Sequence, residues 1–194
     1  MISFPFTEQF SQWVSLIGYK ILAKDDAWVI TDYGETTYYV DFVKIGYVAS
    51  VTQRGGAKQF LINASSIDVE RFLTDIFGSD IRSVLSLPDI RSVPLPLQAG
   101  NIAPGYSLRA VSPGKVALVS TTGILRATIH GSTTSSAFIP VWFSWIIDAS
   151  LEELRASYLD PNGLPLFPGC RIGPTSDQID QPETLQVKRE SLNP

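Results

Sequence analysis

The chain has 194 residues, a length that fits one domain, and 44% of them are hydrophobic, which is enough for a packed core. Its formal net charge of −4 argues against nucleic acid as the main partner, because a phosphate-binding protein needs a basic face. The one cysteine, Cys170, excludes an intramolecular disulfide and a zinc site built from several thiolates. We expect a cytoplasmic protein, since no signal-peptide pattern and no membrane-spanning apolar run are recognisable.

The N-terminal part predicts a short helix followed by closely spaced strands. Thr7 can cap a helix that ends at Gly18, and one face of this helix is apolar. Runs of Val, Ile, Thr, Tyr and Phe bounded by Gly and Asp are typical of an antiparallel meander. They predict five strands, at 19–23, 28–31, 36–42, 47–53 and 59–63. The sequence Arg54-Gly55-Gly56 predicts a tight hairpin before the fifth strand.

The segment from Phe60 to Pro88 is the most informative part of the chain. Ser65 precedes a helix, with Asp68 three residues later, which is the spacing of a helix N-cap interaction. Four apolar residues then follow at positions i, i+3, i+4 and i+7, namely Val69, Phe72, Leu73 and Ile76. Gly78 is predicted to end the helix, so that residues 79–83 would form a polar loop.

The second half of the chain resembles the first in its order of elements. Strands are predicted at 105–108, 116–119, 124–130 and 137–147, followed by a helix that starts at the capping box of Ser150 and Glu153. The predicted fold is therefore α+β, with two similar antiparallel halves each followed by a helix, plus the N-terminal helix. We place both halves in one domain of residues 1–172, as 7–88 and 105–167 joined by a proline-rich connector at 85–104. Residues 173–194 are predicted to form a flexible tail.

The sequence contains no convincing catalytic, metal or cofactor motif. His130, the one histidine, ends a predicted strand without a local nucleophile or carboxylate, although a small hydrolase that uses it with distant carboxylates remains an alternative. The acidic pairs Asp25-Asp26 and Asp177/Asp180 are more typical of solvated turns than of metal ligands. Trp142 and Trp145 suggest a second alternative, a surface through which a non-catalytic assembly module docks another subunit.

Charged residues in the predicted turns are the candidate partner-binding groups. Arg54 lies at the hairpin tip, and Asp80 and Arg82 follow the predicted helix end. Arginine is a favoured interface residue, so Arg82 could project toward a partner. Alternatively, Asp80 and Arg82 could stabilise the loop through a local ion pair or backbone hydrogen bonds. The predicted partner-binding residues are therefore Arg54, Asp80 and Arg82.

The order of these features resembles the immunity factor family of the tuberculosis necrotizing toxin. The resemblance extends from about residue 6 to 167 and includes the segments GYKI, WVITDYGETTYYV and the RGG hairpin. Its most specific part is 66–88, with VERFL, Gly78 and DIRS before Leu87-Pro88. The resemblance implies a non-enzymatic antitoxin without a cofactor. Such a protein would bind a folded NAD-degrading toxin in a one-to-one complex and block its active site.

Overall fold

The computed structural model describes residues 5–44, 46–90, 101–130 and 138–167, with the backbone alone for Phe60, His130 and Phe138. The helices in these ranges are α1 (Glu8–Ser15), α2 (Ser66–Val84), α3 (Phe138–Ser144) and α4 (Leu151–Leu159). The strands are β1 (Lys20–Lys24), β2 (Ala27–Thr31), β3 (Thr36–Val43), β4 (Gly46–Gln53), β5 (Gln59–Ala64), β6 (Tyr106–Ser112), β7 (Lys115–Ser120) and β8 (Leu125–His130).

These strands form one antiparallel sheet with the order β1-β2-β3-β4-β5-β8-β7-β6. Strands β1 to β5 pair in chain order, as do β6 to β8, and the two sets meet where Ile62 of β5 faces Ile129 of β8. The predicted α+β class is confirmed, with five strands in the first set and three in the second. The predicted domain halves remain a prediction. Part of the connector, 91–100, and the whole predicted tail lie outside the described residues.

One face of the sheet packs against the helices, and α2 is the central helix of this core. Alternate strand residues point toward the helices and are at most 1% exposed, including Ile30, Val40, Ala49, Ile62 and Ile129. The predicted stripe of α2 is buried on the same side and continues past Ile76 to Phe77 and Ile81. Residues from all four helices belong to the same cluster, so the two strand sets share one core.

The predicted helix starts are confirmed by their capping hydrogen bonds. Thr7 accepts from the backbone N–H of Phe10 at 3.3 Å, and Ser65 accepts from that of Asp68 at 3.2 Å. Ser150 and Glu153 form the complete capping box at α4. These local signals define where α1, α2 and α4 begin.

The predicted helix end at Gly78 is wrong, because α2 continues through it to Val84. Gly78 lies where α2 crosses α4, and a Cβ atom at this position would lie 2.4 Å from the ring of Tyr158. The glycine therefore permits close approach of two helices and does not provide a left-handed cap.

The strand predicted at 137–147 is also wrong, since Phe138–Ser144 form α3. The composition of this segment is typical of a strand, but Val141 and Phe143 are both fully buried, and Phe143 belongs to the core cluster. Pro140 lies in the first turn of α3, where its missing N–H costs no helical hydrogen bond. Tertiary burial therefore overrides the local strand preference here.

Candidate functional site

The predicted partner-binding residues Arg54 and Asp80 lie at the same end of the sheet. Strand β4 ends at Gln53, directly before Arg54, and Asp80 lies in the last turns of α2, which runs back across the sheet from the end of β5. Two half-buried tyrosines, Tyr19 and Tyr38, belong to the same region, as does Asp32 after β2. We call this region the Asp80 end.

Arg54 is held at a hairpin tip and remains 81% exposed. Its backbone has φ of 50°, and its N–H donates to the carbonyl oxygen of Glu35 at 2.8 Å. Its Nε donates to the Glu35 carboxylate at 2.7 Å. This pairing orients the guanidinium, while its exposure leaves the terminal N–H groups open to solvent. Arg54 also lines an open polar groove of about 530 Å³ with Gln53, Gly56 and Gln59.

Asp80 lies beside an aromatic group made of Tyr19, Tyr38 and Phe77. The ring centroids of Tyr19 and Tyr38 lie 5.2 and 4.9 Å from that of Phe77. Phe77 and Asp80 are three residues apart on α2, so both side chains point to the same side of the helix. Partial burial raises the pKa of the Asp80 carboxyl, and among the described residues its carboxylate has no salt bridge.

The negative charge of Asp80 acts on both tyrosines. Burial raises the pKa of Tyr38 to about 12, with further contributions from Tyr19 and from the charge of Asp80. Burial is also the main cause that raises the pKa of Tyr19, and the charges of Asp32 and Asp80 add to it. Both phenols therefore experience the negative charge of Asp80, and Tyr19 experiences that of Asp32 too.

Arg82 is buried, in contrast to the other two predicted residues. The residue is 1% exposed, and its guanidinium donates to four backbone carbonyl oxygens at 2.7 to 3.0 Å, those of Pro88, Tyr158, Asp160 and Pro161. Arg82 therefore connects the end of α2 to the end of α4. This arrangement agrees with the alternative in which Arg82 stabilises the fold through backbone hydrogen bonds.

The opposite end of the sheet contains an open groove of about 690 Å³. We call it the groove end. The groove lies between the start of β4, the end of β5, the start of α2 and the start of β8, and Tyr47, Ile67 and Leu125 contribute to its lining. Ile67 is 40% exposed and Leu125 is 51% exposed. The exposed ring of Phe42 packs on the ring of Tyr47, with their centroids 5.3 Å apart. Sequence patterns gave no sign of this groove, because its sides come from distant parts of the chain.

A network of paired charges lies beside this groove. Asp68, 3% exposed, accepts from Arg71 at 2.7 Å and from Arg126 at 3.1 Å. Arg126 also donates to Asp148 at 2.9 Å and to the hydroxyl of Tyr106 at 2.9 Å. Burial and the hydrogen bond to Asp148 raise the pKa of Tyr106 to about 12. The network links α2 to β6, β8 and the segment before α4, so its charges serve the fold.

The residues of the alternative sites lie at the end of β8 and in and after α3. The backbone of His130 pairs with Lys115 at the end of β8, and its side chain lies outside the described part of the structure. Trp142 packs on Phe72 with ring centroids 5.4 Å apart, and the Nε1 of Trp145 donates to the carbonyl of Asn101 at 2.9 Å. Within the described ranges, no group of three or more His, Cys, Asp or Glu residues could hold a metal ion. In the same ranges, none of the helices has the length and apolar character needed to cross a membrane.

Comparisons with known proteins give matches over most of the chain. The model of the family described as Immunity protein 61 matches residues 13–166. Two relatives, "Immunity factor for TNT" of Mycobacterium tuberculosis and "Immunity factor for TNT homolog" of Mycobacterium bovis, are each 28% identical over 138 residues, covering 69% of this chain and 73% of theirs. The solved structure of Rv3902c from M. tuberculosis has a TM-score of 0.73 at 25% identity and covers 87% of this chain and 97% of its own.

Proposed function

This chain belongs to the immunity protein 61 family, and we propose that it is an antitoxin that binds and inhibits an NAD-degrading toxin of the tuberculosis necrotizing toxin type. The observation that carries the proposal is the family match from residue 13 to 166, which spans both strand sets and α2. The two relatives that match this chain over 73% of their own length are named immunity factor for TNT and immunity factor for TNT homolog.

The proposed mode of action is non-enzymatic. The chain would form a one-to-one complex with the folded toxin in the cytoplasm of the producing cell and cover the toxin's active site. The net charge of −4 suits an electropositive partner surface, because complementary charges accelerate association and orient the encounter. We expect neither a cofactor nor nucleic acid to take part.

The Asp80 end is the proposed contact region. Arg54 and Asp80 both lie there and are exposed, and the groove beside Arg54 gives this end a concave polar surface. Arg82 was also predicted to bind the partner. Its burial supports a different proposal, that it affects toxin binding only through the stability of α2 and α4.

The test is NAD hydrolysis by a toxin domain encoded beside the gene for this chain, titrated with the purified chain. We expect activity to fall linearly and to vanish at one equivalent, with co-elution of both proteins on a sizing column. The heat-unfolded chain is the control and should leave the toxin active. Full toxin activity in excess folded chain, without co-elution, would show that the proposed partner is wrong.

A matched pair of variants tests the proposed contact region. Arg54→Ala and Asp80→Asn change exposed residues at the Asp80 end, whereas Asp26→Asn removes one negative charge from an exposed turn at the other end of β1. We expect the first two to weaken inhibition and the third to leave it within about twofold of the original chain. Equal inhibition by all three variants would place the contact region elsewhere.

A further inference from the structure

We propose that Tyr19, Tyr38 and Asp80 form a receptor for one basic side chain, an arginine or lysine, on the surface of the toxin, with Asp32 at its rim. The inference rests on the proposed function, which supplies the partner, and it adds the chemistry of the group that is bound. Asp80 was a predicted contact residue, but the two tyrosines and Asp32 enter only through the structure.

The proposed receptor is built on a group of three aromatic rings. Tyr19 precedes β1, Tyr38 lies in β3 and Phe77 lies in α2, so three separate elements bring the rings together. The centroids of Tyr19 and Tyr38 are 6.3 Å apart, and both rings contact the buried ring of Phe77. Contacts among three elements hold the two phenol rings in place, so this aromatic group is preorganised.

The proposed receptor also contains carboxylates without a salt bridge among the described residues, and Asp80 is the first of them. Asp80 follows Phe77, the ring that both phenols contact, by three residues on α2, and its charge contributes to raising the pKa of both phenols. Its carboxylate is partly desolvated and makes no salt bridge with any residue that the structure describes. Asp32 uses one oxygen to accept from the N–H of Gly34 at 2.7 Å and likewise has no salt bridge in the described part of the chain. The charges of two carboxylates from different elements therefore act on Tyr19, and within the described part of the chain neither carboxylate is paired with a cation.

Charge complementarity indicates that a basic side chain occupies the receptor. A guanidinium or ammonium group is attracted both to carboxylates and to the faces of aromatic rings. The chain itself shows this chemistry nearby, since the ammonium of Lys20 lies 5.2 Å from the ring centroid of Tyr33. A basic side chain of the partner would neutralise Asp80, hydrogen-bond to the phenol oxygens and keep a second carboxylate within reach.

The neighbouring cations in the described ranges have other partners. Arg54 pairs with Glu35, and the guanidinium of Arg82 is taken up by backbone carbonyl oxygens on the α4 side. Lys20 is positioned over Tyr33. Among the residues that the structure describes, the receptor thus lacks only a positive charge, which an associating protein can provide.

The experiment measures toxin affinity for the full chain by titration calorimetry at two salt concentrations. The variants are Asp80→Asn, the double variant Asp32→Asn/Asp80→Asn, Tyr38→Phe and the control Asp26→Asn, each checked by circular dichroism for an unchanged fold. We expect Asp80→Asn to weaken binding about tenfold and the double variant further, with a smaller salt dependence than the original chain. We expect Tyr38→Phe to weaken it about threefold and Asp26→Asn less than twofold.

A second measurement identifies the basic group. Each exposed Lys and Arg of the toxin is replaced by Ala and tested against both the original chain and Asp80→Asn. We expect one toxin variant whose loss of affinity disappears in the Asp80→Asn background, because the two changes remove the same contact.

The outcomes separate this inference from the proposed function. If the original chain neither binds nor inhibits the toxin, the proposed function fails and the inference fails with it. If the original chain binds tightly while Asp80→Asn and the double variant match Asp26→Asn, the proposed function stands and the receptor is overturned. The absence of any toxin residue coupled to Asp80 would also overturn it.

Discussion

Helix α2 carries one aspartate near each end, and the two lie in opposite electrostatic surroundings. Asp68 is 3% exposed and pairs with two arginines, so its charge is used within the fold. Asp80 is exposed and has no salt bridge among the described residues. The two aspartates therefore differ in both burial and pairing. A charge that the fold has already neutralised serves stability, whereas one without a partner is available for binding.

The largest expected effect on stability is that of replacing Arg82. This change tests whether the C-terminal end of α2 stabilises the fold or binds the partner. Replacement by Met removes the donors for four backbone carbonyl oxygens. We expect the free energy of unfolding to fall by about 3 kcal/mol, because buried acceptors lose their hydrogen bonds. Urea denaturation measures this. Toxin affinity of the protein that remains folded at low temperature should stay within twofold, and a tenfold loss would assign Arg82 to the interface.

The second largest effect on stability is expected at Gly78, where α2 and α4 approach each other. Gly78→Ala would place a methyl group 2.4 Å from the Tyr158 ring, which is itself buried and bonded to Asp75. We expect a loss of about 2 kcal/mol, since the helices must separate to accept the methyl group. The control is Ser79→Ala at the neighbouring exposed position, which should change thermal stability little. An unchanged melting temperature in Gly78→Ala would contradict the close helix contact.

Asp68→Asn tests the role of the aspartate that is paired with two arginines. The change weakens the interactions with Arg71 and Arg126 but keeps the shape of the side chain. We expect the free energy of unfolding to fall by about 1.5 kcal/mol, because the Arg71–Asp68 ion pair is lost and Arg126 keeps only Asp148 as a charged acceptor. Toxin affinity should change less than twofold. Chemical denaturation and calorimetry on the same sample would show whether stability and binding separate as expected.

Asp80→Asn should have the smallest effect on stability, and of opposite sign. Partial burial raises the pKa of Asp80 above its ordinary 3.8, so the folded protein holds this proton more tightly than the unfolded chain. The resulting stability is present below pH 3.8 and is lost as the pH rises through the raised pKa. Asp80→Asn should therefore be slightly more stable than the original chain at pH 7, by less than about 0.5 kcal/mol after solvent screening.

The measurement for this last prediction is a series of urea titrations between pH 3 and pH 7. The difference between Asp80→Asn and the original chain should shrink toward the acidic end of the series. A variant that is less stable than the original chain at pH 7 would mean that the Asp80 charge is already compensated within the fold.

Local sequence signals predicted the parts of the fold that local chemistry determines. The caps at Thr7, Ser65 and Ser150 depend on residues within three positions, and the first five strands depend on composition between turn residues. The exposed hairpin position of Arg54 was predictable for the same reason. The shared end of Arg54 and Asp80 was not, because it depends on how α2 crosses the sheet.

The wrong predictions share one physical cause, which is contact between distant segments. A glycine after an apolar stripe fits both a helix end and a close helix crossing, and only the position of Tyr158 distinguishes them. Once α2 continues past Gly78, Arg82 lies one turn further on the same face, directed at the carbonyl groups that end α4. The residues 138–144 have strand-like composition, but the core has space for a helix there.

The meeting of β5 and β8 at the centre of the sheet has a consequence for how the chain folds. Ile62 and Ile129 are neighbours in space but distant in sequence, whereas the other strand pairs join consecutive strands. Closing a long loop costs conformational entropy before any contact forms, so consecutive hairpins can assemble first and the β5–β8 pairing later. Until that step, the edges of β5 and β8 are open in addition to those of β1 and β6, so both could pair with another chain during synthesis.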